Sequence, residues 1–360
     1  MPHMQKGWAP AHVAGAPGIR ALRRSFFLAL CLTAAVATAQ TSEPTLARRD
    51  AAAWLGKIHR AAQRENYVGT LIYQRGSVMH ASRIQHYSDL VNNEYERLET
   101  LDGKPREVLR QNDMVHSLIP EAKLVVIEKQ DAKDRFPALL STTKSDVLDL
   151  YEMRRLPPER VAGMECEVFW LVPHDSARYA VRLWAEKTSG LLMRAQTVGE
   201  GGKVLEQVSF SQIEIGVPSE KQKILGAIKQ ARSWNQYEIH YQPANVAEEG
   251  WQIGVPVKGF QKIREVRRPL GDLRGRQGAD SSEVFEVLQV VYSDGLTGLS
   301  VFIEPVSAQR ARREGVAALG ATQVVVRKVA DFWITVVGEV PAATVKQFAA
   351  AVEYRAPSQR

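Results

Sequence analysis

Cysteine is almost missing: Cys31 and Cys166 are the two in 360 residues. A fold stapled by several disulfides is therefore excluded, and packing must hold the chain together. Long apolar runs are also scarce. Residues 26–39 hold fourteen residues without a charge, a helix of about 21 Å against a bilayer core of roughly 30 Å. No Walker loop, GxSxG elbow or HExxH is present. His59, His80, His86, His116, His174 and His240 make no metal-ligand spacing with one another or with cysteine. No catalytic residue, metal ligand or cofactor site is therefore assigned, and the reading is not an enzyme. Gly199–Lys203 is glycine-rich, but it lies between two strand-like runs and reads as a hairpin turn.

Positive charge is plentiful only in places. Of the net +7, residues 1–39 supply Lys6, Arg20, Arg23 and Arg24 with no acid. Residues 40–218 hold 24 basic and 25 acidic side chains, and 219–360 hold 19 and 15. That footprint is too thin for a DNA-binding protein.

The leader has the form of an export signal. Arg20, Arg23 and Arg24 precede the apolar run, and Ala37-Thr38-Ala39 places small residues before a cut near Ala39. The Arg-Arg pair partly resembles a twin-arginine signal; an ordinary signal with clustered charge is the preferred reading. Cys31 follows the bulky Leu30, which a lipoprotein signal disfavours. Cleavage leaves Cys166 alone, as a small buried hydrophobe.

The mature chain opens on an amphipathic helix, with Trp54, Leu55, Ile58, Ala61 and Ala62 on one face. Strand-like runs follow at 67–74, 78–87, 94–101, 106–111, 114–119 and 124–128, with a hairpin at Asp102-Gly103. Residues 137–150 have helical spacing, and Pro157-Pro158 breaks the chain. Strands resume at 165–172, 179–185, 191–198 and 204–215. About ten short strands with two helices predict a large, antiparallel, incomplete β-barrel with helices on its concave side; a sandwich is the competing arrangement. Residues 218–236 read as a linker, in which 224–233 is either a short helix or part of the connection. A smaller α+β unit occupies 237–360. Its strands are at 284–292, 298–304, 322–330 and 332–337, and its closing helix carries Val345, Phe348, Ala349 and Val352.

Two features suggest binding. Phe169, Leu171, Val181, Leu183, Trp184, Val208 and Phe210 form an apolar set in the meander. Plain core packing explains most of it, but an incomplete barrel has apolar surface to spare for a lipid-sized pocket. The second is a basic stretch, 258–276, with seven basic side chains against Glu265 and Asp272. It reads as a solvated loop or as a dock for acidic protein or phosphorylated lipid, through arginines such as Arg264, Arg267, Arg268 and Arg274.

Several stretches resemble the RseB/MucB family. They are Arg160-Val161-Ala162-Gly163, Cys166, Pro173-His174-Asp175, Arg178 to Trp184, Thr188 to Leu192 and Leu205 to Phe210. Tyr292-Ser293-Asp294-Gly295-Leu296 and Val337 to Pro341 continue the match, so the resemblance covers nearly all of the mature chain in order. It implies a periplasmic negative regulator of an envelope-stress sigma factor. Such a protein binds the periplasmic part of a single-span anti-sigma factor of the RseA or MucA type and shields it from a DegS-type site-1 protease. The resemblance implies that 40–217 is an unclosed barrel similar to the carriers LolA and LolB. That barrel senses lipid, a lipoprotein acyl chain or lipopolysaccharide, and 237–360 contacts the anti-sigma factor. The resemblance assigns no contact residues; the expected partner residues, chosen on physical grounds, are Arg264, Arg267, Arg268, Arg274 and Tyr292. A second copy of the chain is a further partner to consider, and nucleic acid is not. The competing functions are a lipoprotein carrier or chaperone of the LolA/LolB type, and an envelope hydrolase, for which no constellation of residues exists.

Overall fold

Alternation of β-branched and aromatic residues with polar ones dominates the mature sequence, and the chain answers with two large sheets. The computed structural model describes residues 45–89, 91, 93–129, 147–270, 285–307 and 312–356. The leader, most of the helical run at 137–150 and Arg274 lie outside the described residues. The first elements are α1 (Arg48–Arg64), β1 (Tyr67–Arg75), β2 (Val78–Ser88), β3 (Glu94–Thr100), β4 (Glu107–Gln111), β5 (Met114–Ile119) and β6 (Leu124–Lys129). A short α2 (Val147–Leu150) leads into β7 (Tyr151–Val161), β8 (Met164–Pro173), β9 (Ala180–Glu186), β10 (Leu192–Val198) and β11 (Val204–Ile215). Then come α3 (Lys221–Ala231) and β12 (Asn235–Ile239).

These strands form one 12-stranded sheet in the order β12-β6-β5-β4-β3-β2-β1-β11-β10-β9-β8-β7. Every neighbouring pair is antiparallel except β12 with β6. The barrel is incomplete: β7 and β12 remain as edges.

Two sequence expectations change here. Pro157-Pro158 does not break the chain, because both prolines lie inside β7. That strand is an edge with a register shift between Leu156 and Glu159, so the missing N–H groups cost no ladder bond. The segment 218–236 is more than a linker. Ile224, Ile228 and Ala231 of α3 pack against Tyr87, Tyr95, Leu109 and Leu118, and Asn235 starts the parallel pairing to β6.

The second sheet is built from β13 (Gln242–Pro243), β15 (Gln261–Leu270), β16 (Phe285–Ser293), β17 (Gly298–Pro305), β18 (Gly315–Leu319), β19 (Thr322–Val329) and β20 (Phe332–Gly338), after β14 (Trp251–Ile253) in a separate pair with β21 (Val352–Tyr354). Its order is β13-β15-β16-β17-β20-β19-β18. Helix α4 (Ala342–Ala350) buries Val345, Phe348 and Ala349 against Leu288, Val290, Tyr292 and Val301. Both sheets belong to one compact unit.

A close approach at the centre of the first sheet depends on a glycine. A Cβ on Gly69 would lie 2.6 Å from the Gln212 carbonyl oxygen and 2.8 Å from the Phe210 ring. The β1–β11 register shifts one residue later, between Thr70 and Leu71. Gly69→Ala is therefore expected to cost about 1–3 kcal/mol by overpacking. A urea midpoint unchanged from wild type would show that the strands can move apart freely.

Candidate functional site

Helix α1 exists because its stripe is apolar. Arg64 in the last turn suits the helix dipole, whereas Arg48 and Arg49 in the first turn oppose it and Asp50 offsets them only in part. The stripe is laid on the expected apolar face. Ala51 and Ile58 share one cluster with Phe169, Leu171, Val181, Leu183 and Ala195, and the Trp54 ring stands 4.9 Å from that of Phe169. Lys57 fixes the helix further, donating to the Lys187 carbonyl at 2.8 Å.

Register separates the set read from the sequence. Phe169 pairs with Leu183, Leu183 with Ala195 and Ala195 with Val208, so these four share a face. Val208 and Phe210 pack in a neighbouring cluster with Tyr67 and Leu71. Trp184 is the exception. It is opposite Val168 and Arg194 and so points to the other face. There the Arg194 and Arg182 guanidiniums lie 5.1 Å and 5.9 Å from its ring, and its indole N–H donates to Glu159 at 2.9 Å. Phe169, Leu171 and Leu183 have no exposed surface. The apolar face is thus present and occupied by the chain's own helix.

A more polar opening lies nearby. Arg64, Asn66, Ser88, Asp89, Val91, Ser219 and Lys221 line a cleft of about 740 Å³. Asp89 accepts from Asn93 and from Lys221 Nζ at 3.1 Å, and hydrogen bonds from Asn93 hold its carboxyl well below the usual carboxylate range. Such a rim does not suit an acyl chain.

The seam between the sheets holds a site that sequence reasoning missed. Arg178, between β8 and β9, and Asp294, in the β16–β17 turn, form an ion pair with both side chains wholly buried. Asp294 Oδ2 accepts from Arg178 Nε at 2.7 Å and from Tyr151 Oη at 2.9 Å. Its Oδ1 accepts from the Leu296 and Thr297 amides at 2.9 Å and 2.8 Å. Arg178 also donates to Asp175 and to the Lys258 carbonyl, and its guanidinium stands 5.1 Å from the Phe260 ring. Burial alone would lower the Arg178 pKa, but the bonds to Asp175 and Asp294 outweigh it and the pKa is raised. Burial, then the Asp294 charge, pushes the Tyr151 phenol well above its ordinary value. A second junction centres on Glu206, which pairs with Arg75 at 3.1 Å and accepts from the Ala321 amide at 3.1 Å. Three stretches that carry the family resemblance, around Arg178, Glu206 and Asp294, therefore meet at one seam. Nothing in local periodicity marks a partner more than a hundred positions away.

The basic stretch is largely a strand. Residues 261–270 form β15, not a loop. Arg264 and Arg268 each lie 5.2 Å from the Tyr241 ring, Arg267 pairs with Glu249 and Lys262 with Glu265. Much of the expected docking charge is thus spent inside the chain. Tyr292 is 2% exposed and packs on Phe348, so its ring is core and offers no surface to a partner. Its spacing in the strand-turn motif gave no hint of which face it takes. Among the described residues no group of three or more potential metal ligands gathers.

Comparison with known proteins covers both sheets. The model of the MucB/RseB N-terminal domain matches residues 50–230, and that of the MucB/RseB C-terminal domain matches 245–353. The sigma factor AlgU regulatory protein MucB of Pseudomonas aeruginosa is 27% identical over 332 residues, 88% of this chain and 95% of that protein. The sigma-E factor regulatory protein RseB of Escherichia coli is 26% identical, covering 84% and 91%. A crystal structure of MucB in complex with MucA(peri) superposes with a TM-score of 0.61 at 25% identity, covering 86% of this chain and all of that one.

Proposed function

Because the chain belongs to the MucB/RseB family, we propose that it is a periplasmic regulator that holds the exported segment of a single-span anti-sigma factor of the MucA or RseA kind. Held in this way, the segment is shielded from site-1 proteolysis, and the sigma factor stays restrained. Lipid, a lipoprotein acyl chain or lipopolysaccharide entering the apolar face of 40–217 releases it, while 237–360 supplies the main contact. The observation that carries this reading is the match, over 86% of this chain, to a protein solved with MucA(peri). The regulatory names of the relatives support it over catalysis.

The physics is linkage. A ligand that binds the partner-free form better weakens partner binding by the same factor, and a tenfold effect needs about 1.4 kcal/mol of coupling. The face occupied by α1 gives such a ligand something to displace.

The exported chain, titrated calorimetrically with the periplasmic segment of the anti-sigma factor from the same genome, is expected to bind saturably with a micromolar or tighter Kd. Heat of dilution alone at about 100 μM, far above a micromolar Kd, would end the proposal.

A further inference from the structure

The two large sheets end in four edges, and three of them are blunted. Along β7, Thr45 bridges to Arg154 and the Leu46 amide donates to the Met153 carbonyl at 2.9 Å, with Pro157 and Pro158 further on. Strand β13 has two residues, one of them Pro243. Strand β12 is short and polar, Asn-Gln-Tyr-Glu-Ile. These are the devices by which natural sheets avoid unwanted pairing.

Strand β18 is as short as β12 but has none of the other devices. Its sequence is Gly-Val-Ala-Ala-Leu, without charge or proline, and all five residues are exposed. Val316 is 56% and Leu319 53% exposed. It pairs with β19 on one side, from Gly315 opposite Val326 to Leu319 opposite Thr322, and among the described residues it ends the sheet on the other.

The surroundings extend this edge in both directions. At one end the β18–β19 turn abuts the first sheet: a Cβ on Gly320 would come within 2.5 Å of Arg75 Cγ. Arg75 closes β1, and the hairpin beyond it exposes Val78 and Met79. At the other end Arg313 and Lys328 are exposed near the start of β18's pairing, with the exposed Glu314, which accepts from the Lys328 amide at 2.7 Å, between Arg313 and Gly315. Exposed apolar side chains therefore stand on both sides of the Arg75–Glu206 pair, and two cations against one carboxylate lie at the far end.

We infer that β18 is the docking edge for an extended segment of the protein partner, which adds as an eighth strand of the second sheet. The inference rests on the proposed function, in which that partner is the exported segment of an anti-sigma factor. Backbone hydrogen bonds hold the added strand and the neighbouring side chains select it. Its residues near Gly315 are acidic, facing Arg313 and Lys328, which outnumber the Glu314 carboxylate there, and its apolar residues run over Leu319 toward Val78 and Met79. A second copy of the chain is the weaker occupant. Five strand residues span about 17 Å, whereas a stable interface takes about 800 Å² and 20–30 residues from each side. An extended partner can continue past the strand and wrap more surface.

The test uses the exported chain and the same recombinant anti-sigma segment. Neighbouring N–H groups in a strand point opposite ways. Of Val316→Pro and Ala317→Pro, one removes an outward donor and leaves the melting temperature unchanged, and that variant is the probe. It is expected to weaken binding at least thirtyfold, while Arg267→Glu weakens it less than threefold. On the wild-type chain, the segment should slow hydrogen exchange in 315–319, a readout that stands even if both proline variants unfold. A probe variant that binds as wild type, or no added protection in 315–319, overturns the inference and leaves the function standing. Loss with Arg267→Glu alone returns docking to β15. A proline variant that turns a dimer into a monomer with unchanged affinity assigns the edge to a second copy. Absence of binding by the wild-type chain overturns both the function and this site.

Discussion

Asp294→Ala is expected to destabilise the folded chain by about 3–5 kcal/mol, the cost of stripping one partner from a buried ion pair. The arginine it leaves behind has no exposed side-chain surface. Asp175 remains to it, but that carboxylate is 44% exposed and screened by water. The Tyr151 hydroxyl and the Leu296 and Thr297 amides lose their acceptor in the same step. Arg178→Met removes the charge from the other side. The two losses should not add, because each already breaks the same pair. A double-mutant cycle is expected to give a coupling energy of about 2–3 kcal/mol, near the top of the range for residues in direct contact. Urea unfolding of the four proteins measures it. Additive losses would mean that Arg178 and Asp294 are held independently and that the seam is not locked there.

The seam also shows where sequence reading stops. Strand β1 and helix α1 were legible because their burial repeats every two or every 3.6 residues, which a window of ten residues contains. Tyr151 to Val161 was not, because Pro157-Pro158 is a break in most strands and is tolerated only at an edge, and edge position is a property of the finished sheet. The arginines of β15 were counted correctly but placed in a loop. Counting charge cannot tell that Tyr241 and Glu249, from preceding segments, will take up Arg264, Arg268 and Arg267. Leu183 and Trp184 looked alike as apolar neighbours; only the register shows that they serve opposite faces. The pairing of Arg178 with Asp294 has no periodic signature at all. Its trace was the resemblance of both stretches to one family, which marks residues without saying that they touch.

Ile58→Asp is expected to free α1 from the apolar face. Ile58 has no exposed surface and sits in the cluster that holds Phe169 and Leu183. Losing its packing costs about 2–5 kcal/mol, and an unpaired carboxylate in that cluster adds to the loss unless it protonates. The helix should exchange its amide hydrogens faster than the sheet beneath it. A fluorescent fatty acid, excluded while α1 is seated, should then bind at least tenfold more tightly. By linkage, the state that welcomes lipid is the state that holds the anti-sigma segment less well, so capture should weaken in parallel. Trp54→Ala is the gentler version. It removes the ring that lies 4.9 Å from Phe169 and should move both affinities in the same directions by less. If α1 exchanges faster in either variant while fatty-acid binding stays at the wild-type level, the face under α1 is ordinary core, and lipid must act on this chain elsewhere.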